Sequence, residues 1–200
     1  MTQTITGLFD RYDDARQAVE DLEAAGVPHG DISIVGRDAD GETDSAGEAA
    51  AEDAGTGAGI GAAVGGVGGL LAGLGMLAIP GVGPVVAAGW LAATAAGAAG
   101  GALIGGAAGG LVGALTHAGV REEDAHVYAE GVRRGGTLVT ARVNDEDAQT
   151  ARSILQNDRT VDLTERRQAY EQQGWSRFDE NAPPYSDDEI TDERSLHSRV

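Results

Sequence analysis

Leu77-Ala78-Ile79-Pro80-Gly81-Val82-Gly83-Pro84-Val85-Val86 lies inside a stretch, residues 54–120, that contains no Asp, Glu, Lys or Arg. The reading of this stretch decides the fold. Gly57, Gly61, Gly65, Gly69 and Gly73 recur every four residues before the quoted segment, and Gly97, Gly101, Gly105, Gly109 and Gly113 after it. Residues at i and i+4 stack on one side of an α-helix. A row of glycines there leaves a groove for close backbone packing. The pattern predicts two glycine-faced helices, Thr56–Ala78 and Val85–Leu115, folded into a hairpin at Pro80, Gly81, Gly83 and Pro84.

Glycine in a water-exposed helix costs roughly 1 kcal/mol relative to alanine, so one ladder of five would cost about 5 kcal/mol. Lipid compensates, because an unpaired backbone group is costly there and helix is enforced. Close packing of one glycine face on another compensates too. Thr56–Ala78 would extend about 34 Å, against a hydrocarbon core of about 30 Å. The sequence therefore predicts a hairpin embedded in a bilayer. Against spanning stand the many Ala and Gly residues, which contribute little transfer energy, and the lack of a basic cluster beside the stretch. The alternatives are a soluble oligomerisation hairpin and a flexible low-complexity segment.

The flanks read as a folded domain. Thr4–Phe9 is predicted as a strand. A helix follows from Asp10, its expected cap, to Ala25, with Ala15, Ala18, Val19, Leu22 and Ala25 on one face. Gly26 and Pro28 end it, and Asp31–Gly36 is a second strand. Beyond the uncharged stretch, Arg121–Arg134 reads as a helix and Thr137–Val143 as a strand, with Val139, Ala141 and Val143 on one side of it. Asn144 is the expected cap of a helix reaching Gln156, and Thr160–Glu165 the last strand. Two strand-helix-strand units predict an α+β fold, a ferredoxin-like split β-α-β sandwich with helices on one face of four strands. The expected organisation is a first half at 1–36, an acidic linker at 37–53, the hairpin at 54–120, a second half at 121–165 and a disordered tail at 166–200. In that tail, Trp175, Phe178 and Tyr185 stand out as a docking motif or as groups that fold back on the domain.

Composition removes several functions. The formal charge is −18, and all fourteen basic residues are arginine. Nucleic acid is not expected as a partner, since its affinity comes from neutralised phosphates. Without cysteine there are no disulfides or thiolate ligands. Without lysine there is no phosphate-binding loop of the Walker type. Residues 73–78 approach a dinucleotide fingerprint but have no acid following at the required distance. His117, Glu122 and His126 are near in sequence, yet read as a solvated face rather than a metal site. The first ten residues lack a basic region before an apolar run, so no signal peptide is expected. No catalytic residue, cofactor or metal is expected.

Several of these segments resemble a known family. Gly7-Leu8-Phe9-Asp10, Ala25-Gly26-Val27-Pro28 and Ile32-Ser33-Ile34-Val35-Gly36-Arg37, with an acid- and Ala-rich helix between them, are similar to the heat-induced, general stress protein domain of bacteria. Residues 78–84 followed by Arg133-Arg134-Gly135-Gly136-Thr137-Leu138-Val139-Thr140 resemble the Gly-rich, low-temperature-induced membrane proteins of that group. The resemblance implies a stress-associated protein and supplies no catalytic residues. The expectation is a non-enzymatic protein of the cytoplasmic membrane with both termini in the cytoplasm, self-associating through its glycine ladders, with a lipid bilayer as partner. An unknown protein binding the tail is a further expected partner. The alternatives are a soluble cytoplasmic scaffold and a ligand-sensing module.

Overall fold

The computed structural model describes residues 2–37, 75–79, 81–99 and 110–197. It is α+β, with one wholly antiparallel sheet. The elements are β1 Thr2–Phe9, α1 Tyr12–Ala24, β2 Ile32–Gly36, β3 Gly75–Ile79, β4 Gly83–Gly89, α2 Trp90–Ala99, α3 Gly110–His117, α4 Glu122–Arg133, β5 Thr137–Asn144, α5 Ala148–Leu155, α6 Leu163–Gln172 and α7 Asp187–His197. The strand order is β1-β5-β2-β4-β3. β5 is an interior strand, pairing along its length with the edge strand β1, from Thr2↔Asn144 to Phe9↔Thr137, and on its other side with β2, the middle of the five.

Alternation along the strands divides the core in two. On the first face lie Ile5, Phe9, Ile32, Ile34, Val86, Ala88, Val139, Ala141 and Val143, under the apolar stripes of α1 and α5. On the second lie Leu8, Val35, Val85, Ala87 and Leu138, under α2, α3 and α4. Helices on both sides make three layers. The sandwich expected from sequence has helices on one face only; the second layer comes from α2 and α3 of the uncharged stretch and from α4 just after it.

That stretch is not a helical hairpin where it is described. Residues 75–79 and 83–89 are paired strands, in register Gly75↔Ala87 to Ile79↔Gly83. The turn between them, with Val82 N–H donating to the Ile79 carbonyl at 3.0 Å, is a β-turn and not a crossing between helices. β-branched Val82, Val85 and Val86 favour the pleated surface over a helix. The predicted helix Val85–Leu115 is a strand to Gly89, helix α2, and then α3 from Gly110. Gly57, Gly61, Gly65, Gly69, Gly73, Gly101, Gly105 and Gly109 lie outside the described residues, as does Pro80. Gly97 falls in α2, and Gly113 is buried in α3. Among the described residues no helix is long and apolar enough to cross a membrane.

Three local expectations also change. Asp10 does not cap α1, which starts after Arg11; its carboxylate takes a two-pronged bond from Arg166, both arms at 2.8 Å. Asn144 ends β5, and α5 begins at Ala148. The strand expected at Thr160–Glu165 reduces to one backbone bond, Val161 N–H to the Leu8 carbonyl at 2.8 Å. The chain then turns into α6, because the Asp162 carboxylate accepts from the N–H groups of Thr164 and Glu165 at 2.8 and 2.9 Å. That is an N-cap, and it stops strand pairing where it starts a helix.

Candidate functional site: the seat of the C-terminal strap

The tail expected to be disordered is a strap. It leaves the body at α6, crosses the β3–β4 turn and ends as α7. α6 is tied down by Arg166 on Asp10 and by Arg167 on Asp124 of α4, at 2.8 Å. From there the strap meets the body mainly where the body has no side chains. The glycines of the turn, Gly81 and Gly83, have φ of 75° and 97°, a region that other residues rarely adopt. A Cβ on Gly81 would stand 2.7 Å from the Glu180 Cα and 2.9 Å from the Phe178 ring. One on Gly83 would stand 2.7 Å from the Pro184 Cβ. At the end of α4, a Cβ on Gly135 would stand 2.3 Å from the Ile190 Cγ2. Three missing side chains thus form the seat, filled by Phe178 and the backbone at Glu180, by Pro184 and by Ile190.

The anchors are apolar. Phe178 is buried in the second-face core, and Ile190 is 1% exposed. Trp175 packs edge-on against buried Tyr170, ring centroids 5.7 Å apart. Burial pushes the Tyr170 hydroxyl up to about 12, with Arg166 partly offsetting it.

Around the anchors the seat presents arginines. Arg37 at the end of β2 donates to the Tyr185 carbonyl and, at 3.3 Å, to the Asp187 carboxylate. Arg133 donates to the Pro183 carbonyl at 3.2 Å and lies over the Tyr185 ring, 5.0 Å from its centroid. Arg134 is the centre. Its Nε donates to Glu130 and its Nη1 to Glu193 of α7, both at 2.8 Å. It also donates to the Gln173 side chain and covers the Tyr170 ring at 4.1 Å. Burial opposes its charge, but the bonds and fields of Glu130 and Glu193 outweigh that and hold its pKa above the ordinary arginine value. Glu130 is 1% exposed, and both Arg134 and Arg133 donate to its carboxylate.

α7 is started by a reciprocal cap. The Ser186 N–H and hydroxyl both donate to the Glu189 carboxylate, at 2.8 and 2.7 Å, and the Glu189 N–H returns to the Ser186 oxygen at 3.4 Å. The bond from the Ser186 backbone is the main reason the Glu189 carboxyl is held below its usual range. Ser186-Asp187-Asp188-Glu189 lies in the tail, residues 166–200, that the sequence predicts to be disordered. The spacing Ser-x-x-Glu before Ile190 is the signal that was available for a helix start.

Beside the seat a groove is lined by Val112, Thr116, Glu122, His126 and strap residues 176–181. The His126 Nδ1 is buried and has no hydrogen-bond partner. Burial, with help from Arg177, holds its pKa below 6.5, against the pull of Glu122 at 3.8 Å. Burial and Asp179 raise Glu180 above the usual carboxylate range. A second cavity, of about 580 Å³, lies between the start of α4 and residues 156–164. Its arginines, Arg121 and Arg167, both pair with Asp124. Among the described residues, no group of three or more His, Asp or Glu side chains is arranged to hold a metal ion.

The sequence-predicted residues sort as follows. Gly81, Gly83 and Pro84 form the described part of the turn, and the turn carries the strap instead of a bilayer crossing. Trp175, Phe178 and Tyr185 fold back separately, on Tyr170, in the second-face core and under Arg133, and are not brought together as one motif. Sequence reasoning missed Arg37, Arg133, Arg134 and Glu130.

Residues 4–78 match the Heat induced stress protein YflT domain. The YflT match bears out the general stress protein resemblance for that part of the chain. It takes in β1, α1 and β2 and ends inside β3. The turn, the α2–α4 layer and the strap lie beyond it. No curated protein and no solved structure matches the chain.

Proposed function

We propose that this is a non-enzymatic, stress-associated scaffold whose uncharged stretch covers one face of its own sheet, with the C-terminal strap fastening that cover. The YflT match supports the association with stress. The observation that carries the rest is α3. Gly110 to Leu115 are all buried, with α2 and α4 beside the helix and Phe178 in the same core. A helix apolar on all sides must be covered on all sides, by protein or by lipid. Here protein supplies the cover.

The polar groups of the seat support a fastening over a reactive centre. Arg134, Glu130, Glu193 and Gln173 satisfy one another, so the charges are spent on holding α7. Fractionation of the untagged protein tests this reading. We expect it in the soluble fraction, and to remain there when the chain is cut after Gln172. Sedimentation with membranes that survives carbonate and high-salt washing would overturn the proposal in favour of embedding.

A further inference from the structure

We propose that the seat is an exchangeable peptide-docking groove, and that it takes residues 178–193 of a second copy of this chain. The inference rests on reading the seat as a binding surface rather than a reactive centre. The groove and the strap are matched group by group. Pro183 and Pro184 have no N–H to offer, so carbonyls are their only backbone handles. The seat answers with donors, Arg133 to the Pro183 carbonyl and Arg37 to the Tyr185 carbonyl. Phe178 and Ile190 fill the space left by Gly81 and Gly135. The strap carries acids at 179, 180, 187–189, 192 and 193, and the seat carries Arg37, Arg133 and Arg134. The groove therefore selects an acidic segment that is non-helical through a Pro-Pro-aromatic centre and helical after it, and its own tail is such a segment.

None of these contacts requires that strap and seat belong to one molecule. The covalent link between them is residues 173–177. In it Gly174 has a φ of 87°, with nothing within 4 Å of where a Cβ would stand. The buried Trp175 indole N–H has no hydrogen-bond partner. Gln173 is held by Arg134 and Trp175 by Tyr170, so the freedom of the link lies at Gly174 and at the exposed Ser176 and Arg177 that lead into the strap. Exchanging identical segments between copies needs no new surface, because every contact is re-made. The opposing factor is concentration. A strap tethered by a short link competes at an effective concentration on the order of millimolar. Exchange shows clearly only when closure within one chain is disabled.

Two full-length variants disable it from opposite sides. Phe178→Ala with Ile190→Ala spoils the strap and leaves the seat. Gly83→Val places a side chain where Pro184 sits, spoiling the seat and leaving the strap. Arg134→Gln serves as the seat variant if Gly83→Val does not give a cooperative unfolding transition. Each is measured alone and after mixing one to one, by size-exclusion chromatography with light scattering. Salt is moderate, so that repulsion between two chains of formal charge −18 is screened. The expected result is the mass of one 20.3 kDa chain for each variant alone and twice that mass for the mixture. Two folded variants that stay at single-chain mass when mixed would overturn exchange. So would a strap variant that dimerises alone, since its partner contact would lie elsewhere. Either failure leaves the fractionation result untouched, so the scaffold reading stands or falls separately.

Discussion

The two faces of the sheet are covered by helices of opposite character. On the first face, α1 and α5 are amphipathic: Ala15, Ala18, Val19 and Leu22, then Ala148, Ala151 and Leu155, point inward, and charged or polar side chains point to water. On the second, beside the amphipathic α4, α2 and α3 contain no Asp, Glu, Lys or Arg, and the only titratable side chain in them is His117 at the exposed end of α3. The difference follows from the number of neighbours. α1 and α5 have one side on the sheet and one in water. α3 has the sheet below, α2 and α4 beside it and Phe178 of the strap in its core. A helix with no wet side has no use for charge, and small residues let its neighbours approach closely. An uncharged, Gly-rich segment therefore reports full coverage and leaves the covering material open.

The strongest way to break the comparison is at the strap, which only the second face has. Arg134→Met should destabilise the protein by about 4 kcal/mol, because Glu130 and Glu193 lose the cation that justifies their burial. Chemical denaturation followed by circular dichroism measures it, and a loss below about 1 kcal/mol would mean that the network is dispensable. Next come paired core truncations, Leu22→Ala on the first face and Leu115→Ala on the second. Each should cost about 3 kcal/mol. Equal losses in one cooperative transition make the faces one folding unit. A Leu115→Ala variant as stable as the parent would separate α3 from the protein core.

Smaller effects sharpen the picture. Asp162→Ala should cost about 1 kcal/mol, since that carboxylate caps α6. Asp147→Ala should cost almost nothing, since no side-chain bond caps α5. Thermal melts of the two variants give the contrast. The smallest effect is a pH slope confined to the second face. The His126 pKa is lower in the folded protein than 6.5, so the unfolded chain binds the proton first as pH falls. Stability should therefore decline as pH drops below about 6.5, and the decline should be shallower in His126→Gln. Midpoint denaturant concentrations between pH 7 and pH 5 test this, and identical slopes would refute it.

Much of the first face was legible in the sequence. The strands expected at Thr4–Phe9, Asp31–Gly36 and Thr137–Val143 match β1, β2 and β5 within two residues at each end, and the apolar stripes placed α1 and α5. The caps were less legible. Asp10 and Asn144 are ordinary N-cap residues, and nothing local says that Arg166 claims Asp10 from across the fold. Asp162 was read as part of a strand because Val161 and Leu163 flank it. Its cap became decisive only when β1 offered a single bond there. In the tail, low aliphatic content outweighed the Ser186–Glu189 box. The strap is stabilised by a few large anchors set in glycine-made hollows, and composition averages do not register hollows.

The amino-acid sequence alone determined that residues 54–120 carry no Asp, Glu, Lys or Arg, that their regularly spaced glycines permit close approach, and that the flanks form strands and half-wet helices. Those properties follow from side-chain charge, size and period. Only the tertiary structure decided that, in the described part, protein is what excludes the water. Only it decided that the Gly81–Gly83 turn receives the chain's own tail. The hydrophobic effect is non-directional, so a segment encodes its need for cover but not the identity of the cover. That identity depends on which distant groups the fold brings near, here Phe178, Ile190 and the carboxylate of Glu193.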